Sequence, residues 1–305
     1  MKRLVALLLL LSMLFCATVA QAEDSVRVYG AKDYHYIILS DGTAEIVAYT
    51  GDDTHVFIPS YVGDCLVTSI GSDTFFWCEE IVEIVLPPDV TTIKHGAFFS
   101  CTALQSFVIP ETVTTITGNP FTDCTSLDRV ELAENHPNFV IQDGVLYDTQ
   151  KQQLICALPS FDSTVYTVPD GITSIGYSAF DFCRSLQELI LPDSVTEIGE
   201  LAFAGCPNLT HVKLPTELTC IPDYLFVACY ALRDLMIPET VTSIGSYAFH
   251  SCWALTNPVI PASVTSIGRY AFLDIVDFQP VVTPGSYAEQ YCMEYSYSYT
   301  YSQPE

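Results

Sequence analysis

VTSIGSYAFHSC, residues 241–252, is one statement of a phrase that the chain repeats: VTSIGSDTFFWC at 67–78, ITSIGYSAFDFC at 172–183 and VTSIGRYAF at 264–272. Prolines set its phase. Pro87 and Pro110 stand 23 apart, and Pro169, Pro192, Pro215, Pro238, Pro261 and Pro284 follow at the same interval. The unit reads L-x-x-L-x-L-P-x-x-V-T-x-I-G-x-x-A-F-x-x-C-x-x. A constant period of this length marks a solenoid, in which each unit buries its apolar face only against its neighbours. One elongated domain is expected rather than two globular ones.

Each part of the unit has a local reading. In L-x-x-L-x-L (Leu186, Leu189, Leu191) the last two leucines alternate with outward residues, as a strand requires. Proline ends the strand because it cannot donate to a ladder. V-T-x-I is a second run of β-branched residues, and the glycine after it allows a turn. Ala179, Cys183 and Leu186 lie at i, i+4 and i+7, a spacing that suits one or two turns of α- or 3₁₀-helix.

These residues, L-x-x-L-x-L with IP-x-x-VT-x-IG-x-x-AF-x-x-C, resemble the BspA-like class of leucine-rich repeat proteins from about Asp33 to Tyr291. The resemblance implies a β-rich, right-handed, curved solenoid with parallel strands, short helical turns and one hairpin-bearing irregular rung. It also implies extracellular protein-interaction or adhesion roles, and it brings no catalytic site with it. Some units depart from the pattern. Lys94 and Thr117 replace the glycine, Pro120 the alanine, and Pro258 a strand leucine. The segment 134–168 exceeds one unit, and Gln142-Asp143-Gly144 within it is a turn signal between two β-like runs.

The expected organisation is a signal peptide over 1–22, an N-terminal cap over 23–60, the solenoid over 61–283 with the 134–168 insertion, and a C-terminal cap with a Tyr/Ser tail over 284–305. The leader is read from Lys2 and Arg3, the apolar run Leu4 to Phe15, and the small-x-small ending Ala20-Gln21-Ala22. Cleavage after Ala22 would send the chain out of the cell, secreted or held at the surface, and no second apolar run spans a membrane. Removing Lys2 and Arg3 leaves 9 basic residues against 36 acidic ones, a net charge of −27. Such a field repels nucleic acid and anionic lipid, and it favours a soluble monomer.

Stacking turns each unit position into a column with neighbours roughly 5 Å apart. The cysteine column is Cys78, Cys101, Cys124, Cys183, Cys206, Cys229 and Cys252. Parallel side chains at that spacing miss disulfide geometry, so buried thiols are expected. One ligand per rung also gives no tetrahedral metal site, and no cofactor is implied. Cys65, Cys156, Cys220 and Cys292 are off-phase and remain unassigned. The threonine column, Thr68, Thr91, Thr114, Thr173, Thr196, Thr219, Thr242 and Thr265, serves β-propensity and ladder bonding.

Function should lie in what varies on the outward side of the strand. One line there reads Val85, Val108, Glu131, Ile190, Lys213, Met236 and Val259, beside a polar line that includes Glu188, His211 and Asp234. An apolar stripe rimmed by polar groups is what a surface needs to bind an extracellular protein or glycoprotein. Enzyme signatures are missing: no H-E-x-x-H, G-x-S-x-G or phosphate loop occurs, and His211 between Glu188 and Asp234 has no accompanying nucleophile. The alternative is a carbohydrate-binding module using exposed aromatics. Its candidate platform is the tail Tyr295, Tyr297, Tyr299 and Tyr301, which a strand would place on one face; a closing strand competes with that reading.

Overall fold

The computed structural model describes residues 27–302; the leader expected over 1–22, with Cys16, lies outside them. The repeat winds into a β-solenoid with two lines of short parallel strands. One line holds the L-x-L segments: Glu83–Val85 follows His55–Phe57, Arg129–Leu132 follows Ser106–Ile109, and Val165–Thr167, Glu188–Ile190, His211–Lys213 and Asp234–Leu235 form one sheet. The other line holds the T-x-I segments, such as Ser174–Ile175 beside Glu197–Ile198 and Ser243–Ile244 beside Ser266–Ile267. Partners within the regular repeat are 23 residues apart, the period of the prolines, whereas His55 and Glu83 are 28 apart.

The segment that follows the glycine forms separate turns rather than the expected helix. Single i→i+3 bonds, Asp181 N to Ser178 O and Cys183 N to Phe180 O, are kept apart by left-handed residues at Ser178 and Phe182. Such residues cannot continue a right-handed helix. The freed N–H groups of Ser178, Phe180 and Phe182 donate instead to the carbonyls of Glu200, Ala202 and Ala204 in the next rung. Phe75, Phe98, Phe121, Phe180, Phe203, Phe226, Phe249 and Phe272 fill the interior beneath these turns.

The repeated glycine has a different cause from the turn expected of it. Gly199, Gly245 and Gly268 do not sit at positive φ; a Cβ on Gly268 would lie 2.4 Å from the Ser246 nitrogen, and one on Gly245 2.5 Å from that of Asp223. Successive rungs touch there, backbone to backbone. Lys94, at the equivalent place, is accommodated and makes an ion pair of 2.8 Å with the buried Glu45.

The 134–168 segment carries the irregular rung. Val145–Asp148 and Gln153–Ala157 pair as an antiparallel hairpin, and the second strand joins the T-x-I line beside Ser174–Ile175. Both faces of the hairpin are buried. Leu146, Ile155 and Leu158 pack into the N-terminal core, whereas Val145, Tyr147 and Leu154 pack into the C-terminal one. The N-terminal end is covered in the same manner, by Tyr34–Ile38 folded against Ala44–Tyr49.

The C-terminal end is closed by the helix Tyr287–Glu294 and by the strand Thr300–Tyr301, paired with Val281–Val282. Ser286 caps the helix, accepting from the Glu289 N–H. Glu289 in turn accepts from the hydroxyls of Tyr299 and Tyr301, the latter at 2.6 Å. The end of the tyrosine tail, Thr300–Tyr301, is thus a closing strand. Tyr297 packs against Phe278, and only Tyr295 and Tyr301 of the four stay exposed.

Candidate functional site

Side-chain alternation puts the strand-line residues where the pattern requires. Leu189 and Leu191 are fully buried, while Val85, Val108, Met236 and Val259 are exposed, Met236 at 83%. Glu131 and Lys213 are also exposed, and Ile190 is half-buried. Register extends the line in ways the repeat alone did not reveal. Phe57 pairs with Val85, so an exposed phenylalanine opens the line, and Thr167 precedes Ile190. Phe57 lies 28 residues before Val85, outside the 23-residue phase, and only strand pairing could place it.

Glu188, His211 and Asp234 do lie side by side on consecutive strands. No ion pair joins them, however. Asp234 pairs with its neighbour Arg233 at 3.5 Å. Among the described residues, no group of three His, Cys, Asp or Glu is arranged to hold a metal ion. Nor is any helix among them long and apolar enough to cross a membrane.

Two other columns are occupied by structural bonding. Thr91, Thr196, Thr242 and Thr265 each direct their hydroxyl to the carbonyl of the threonine one rung earlier. The thiols of Cys101, Cys124, Cys206, Cys229 and Cys252 each donate to the carbonyl of a phenylalanine 26 residues earlier, at 3.0–3.3 Å. All but Cys183 of the seven in-phase cysteines are buried, Cys183 being half-buried. Desolvation pushes the Cys124 thiol up to about 12. Aromatics at the turns stack on each other, Tyr224 on Tyr247 and Tyr230 on Trp253.

Neither of two concavities is lined by the ten strand-line residues. One, of about 290 Å³, lies where the shortened rung 157–162 meets its neighbours and is lined by Asp123, Asp162, Asp181 and Arg184. Burial pushes the Asp181 carboxyl up to about 8. The other is a groove of about 860 Å³ on the T-x-I line, spanning residues 196–268. Its one sequence signal is LTCIP, 218–222, where proline takes the glycine position.

The geometry agrees with what the chain is similar to. A family model described as the BspA type leucine rich repeat region matches residues 58–157 and 156–277, in six copies. A leucine rich cell surface protein from Faecalibacterium prausnitzii is 24% identical, covers 88% of this chain and 98% of its own, and superposes with a TM-score of 0.55. The pneumococcal vaccine antigen PcpA is 17% identical over 92% of this chain and 100% of its own, with a TM-score of 0.64. At these identities the likeness is one of fold. No curated protein matches the chain.

Proposed function

This chain belongs to the BspA-type leucine-rich repeat family, and on that premise we propose that it is a secreted or cell-surface scaffold that binds another extracellular protein and catalyses no reaction. One observation carries the reading. The line Phe57, Val85 and Val108, continued by Met236 and Val259, is exposed apolar surface whose inward neighbours Ile84, Phe107, Ile237 and Ile260 are buried. Such residues are already ordered, so a partner meets them at little entropic cost. Glu131, Lys213, Glu188, His211 and Asp234 provide the polar surround that excludes wrong partners.

The surface location is proposed from the leader pattern of residues 1–22. The test is capture of purified extracellular matrix proteins by the chain from Glu23 onward, beside a glycan array and a hydrolase screen. Binding to a matrix protein that Val108→Asp and Met236→Asp together reduce by about 1–2 kcal/mol supports the reading. Glycan binding alone, or turnover, would replace it.

A further inference from the structure

We propose that the groove on the T-x-I line is a second docking site, and that it takes an extended peptide segment bearing lysine or arginine side chains. The groove is where the hydrogen-bond ladder breaks. Elsewhere the residue at the glycine position donates its N–H to the isoleucine of the preceding rung: Gly199 to Ile175, Gly245 to Ile221 and Gly268 to Ile244, at 2.7–2.9 Å. Pro222 holds that position between them and has no N–H, so the Ile198 carbonyl receives no such bond. The threonine ladder lapses at the same point among the described residues. Thr196 donates to Thr173, and Thr242 to Thr219, but Thr219 does not donate to Thr196. Sheet pairing stops accordingly at Glu197–Ile198 and restarts at Cys220–Ile221. Ile198 and, at the far end of the groove, Ile267 are half-buried, whereas Ile175, Ile221 and Ile244 are buried.

The opened rungs combine apolar side chains, Ile198, Ile221, Ile244 and Ile267 among them, with charged groups of one sign. Glu197, Glu200 and Asp223 line the groove with Thr196, Thr219, Ser243, Ser246 and Ser266, and no Lys, Arg or His lines it. Arg269, beyond the end, is turned onto the ring of Tyr270 at 4.4 Å. Carboxylates and unpaired carbonyls are acceptors only, and ammonium or guanidinium groups are donors only. In the first half of the solenoid, Lys94 at the glycine position pairs with Glu45. Four rungs span roughly 15 Å, the length of about four or five extended residues. This surface is distinct from the exposed strand line, and the two readings share only the premise of a protein partner.

Fluorescence polarisation with a labelled short Lys-Gly alternating peptide, against its Glu-Gly counterpart, tests the site. The lysine peptide should bind and the glutamate peptide should not. Glu200→Gln with Asp223→Asn should weaken binding about tenfold, whereas the charge-matched pair Glu188→Gln with Asp234→Asn on the strand line should change it less than about twofold. Ser243→Trp, which fills the groove without altering charge, should also block it. Equal losses in both charge pairs would show diffuse attraction to a −25 chain and overturn the site, as would unchanged binding in Ser243→Trp. Preferential binding of soluble glycans in the groove would likewise overturn it. Met236→Asp should leave the peptide unaffected, so loss of matrix-protein binding and loss of peptide binding are separable.

Discussion

The Cys229 thiol donates to the carbonyl of Phe203 at 3.0 Å, one turn back along the solenoid. The same bond recurs at Cys101, Cys124, Cys206 and Cys252. At these five positions the recurring cysteine is therefore a small buried donor that ties its turn to the one before.

Thiol reactivity follows from this arrangement. Cys220 is the exposed member of the eleven described cysteines, and the buried ones resist ionisation because desolvation disfavours the thiolate. Native titration should show one fast thiol, removed by Cys220→Ser, with the in-phase seven reacting only after denaturation without reductant. Three disulfides among those seven would refute the ladder.

The inward and outward sides of the strand should differ sharply in tolerance. Met236→Asp places charge at an exposed site and should shift stability by less than about 0.5 kcal/mol. Leu189 is fully buried, and Leu189→Asp should abolish cooperative unfolding at that rung. Denaturant melts of the two variants check this.

Close contact between rungs predicts a cost for adding one methyl group. Gly268→Ala would drive a Cβ into the backbone of Ser246, and should lower stability by about 1–3 kcal/mol. A variant that melts like the parent would show that the rungs can part.

Asp181 gives the structure a pH dependence of opposite sign to that of most carboxylates. Its folded pKa is raised by burial to about 8 from 3.8, so the folded state holds a proton that the unfolded chain has lost. That contribution is fully present below about pH 4 and is lost as the pH rises through about 8. Melting temperature should fall over this window, and Asp181→Asn should flatten the fall.

Removing the tail should uncover the last rung. Without residues 295–305, Phe278 loses Tyr297 and the Val281–Val282 strand loses its partner. The truncated chain should associate in a concentration-dependent way, read by light scattering.

The 23-residue period determined the solenoid, because proline, alternating leucines and the buried phenylalanine each act within one unit and its immediate neighbours. It likewise placed Leu189 inside and Met236 outside, since strand alternation is a local property. What it could not decide is set between rungs. The glycine looked like a turn residue until Gly268 was found against the Ser246 backbone, and the turns looked helical until their N–H groups were seen to bond to the following rung. Phe57 joined the exposed line only through pairing with Val85, and the groove at Pro222 exists because one missing N–H matters only where another rung's carbonyl awaits it. Composition and period are written along the chain, whereas contacts between rungs depend on register, which only the stacked structure supplies.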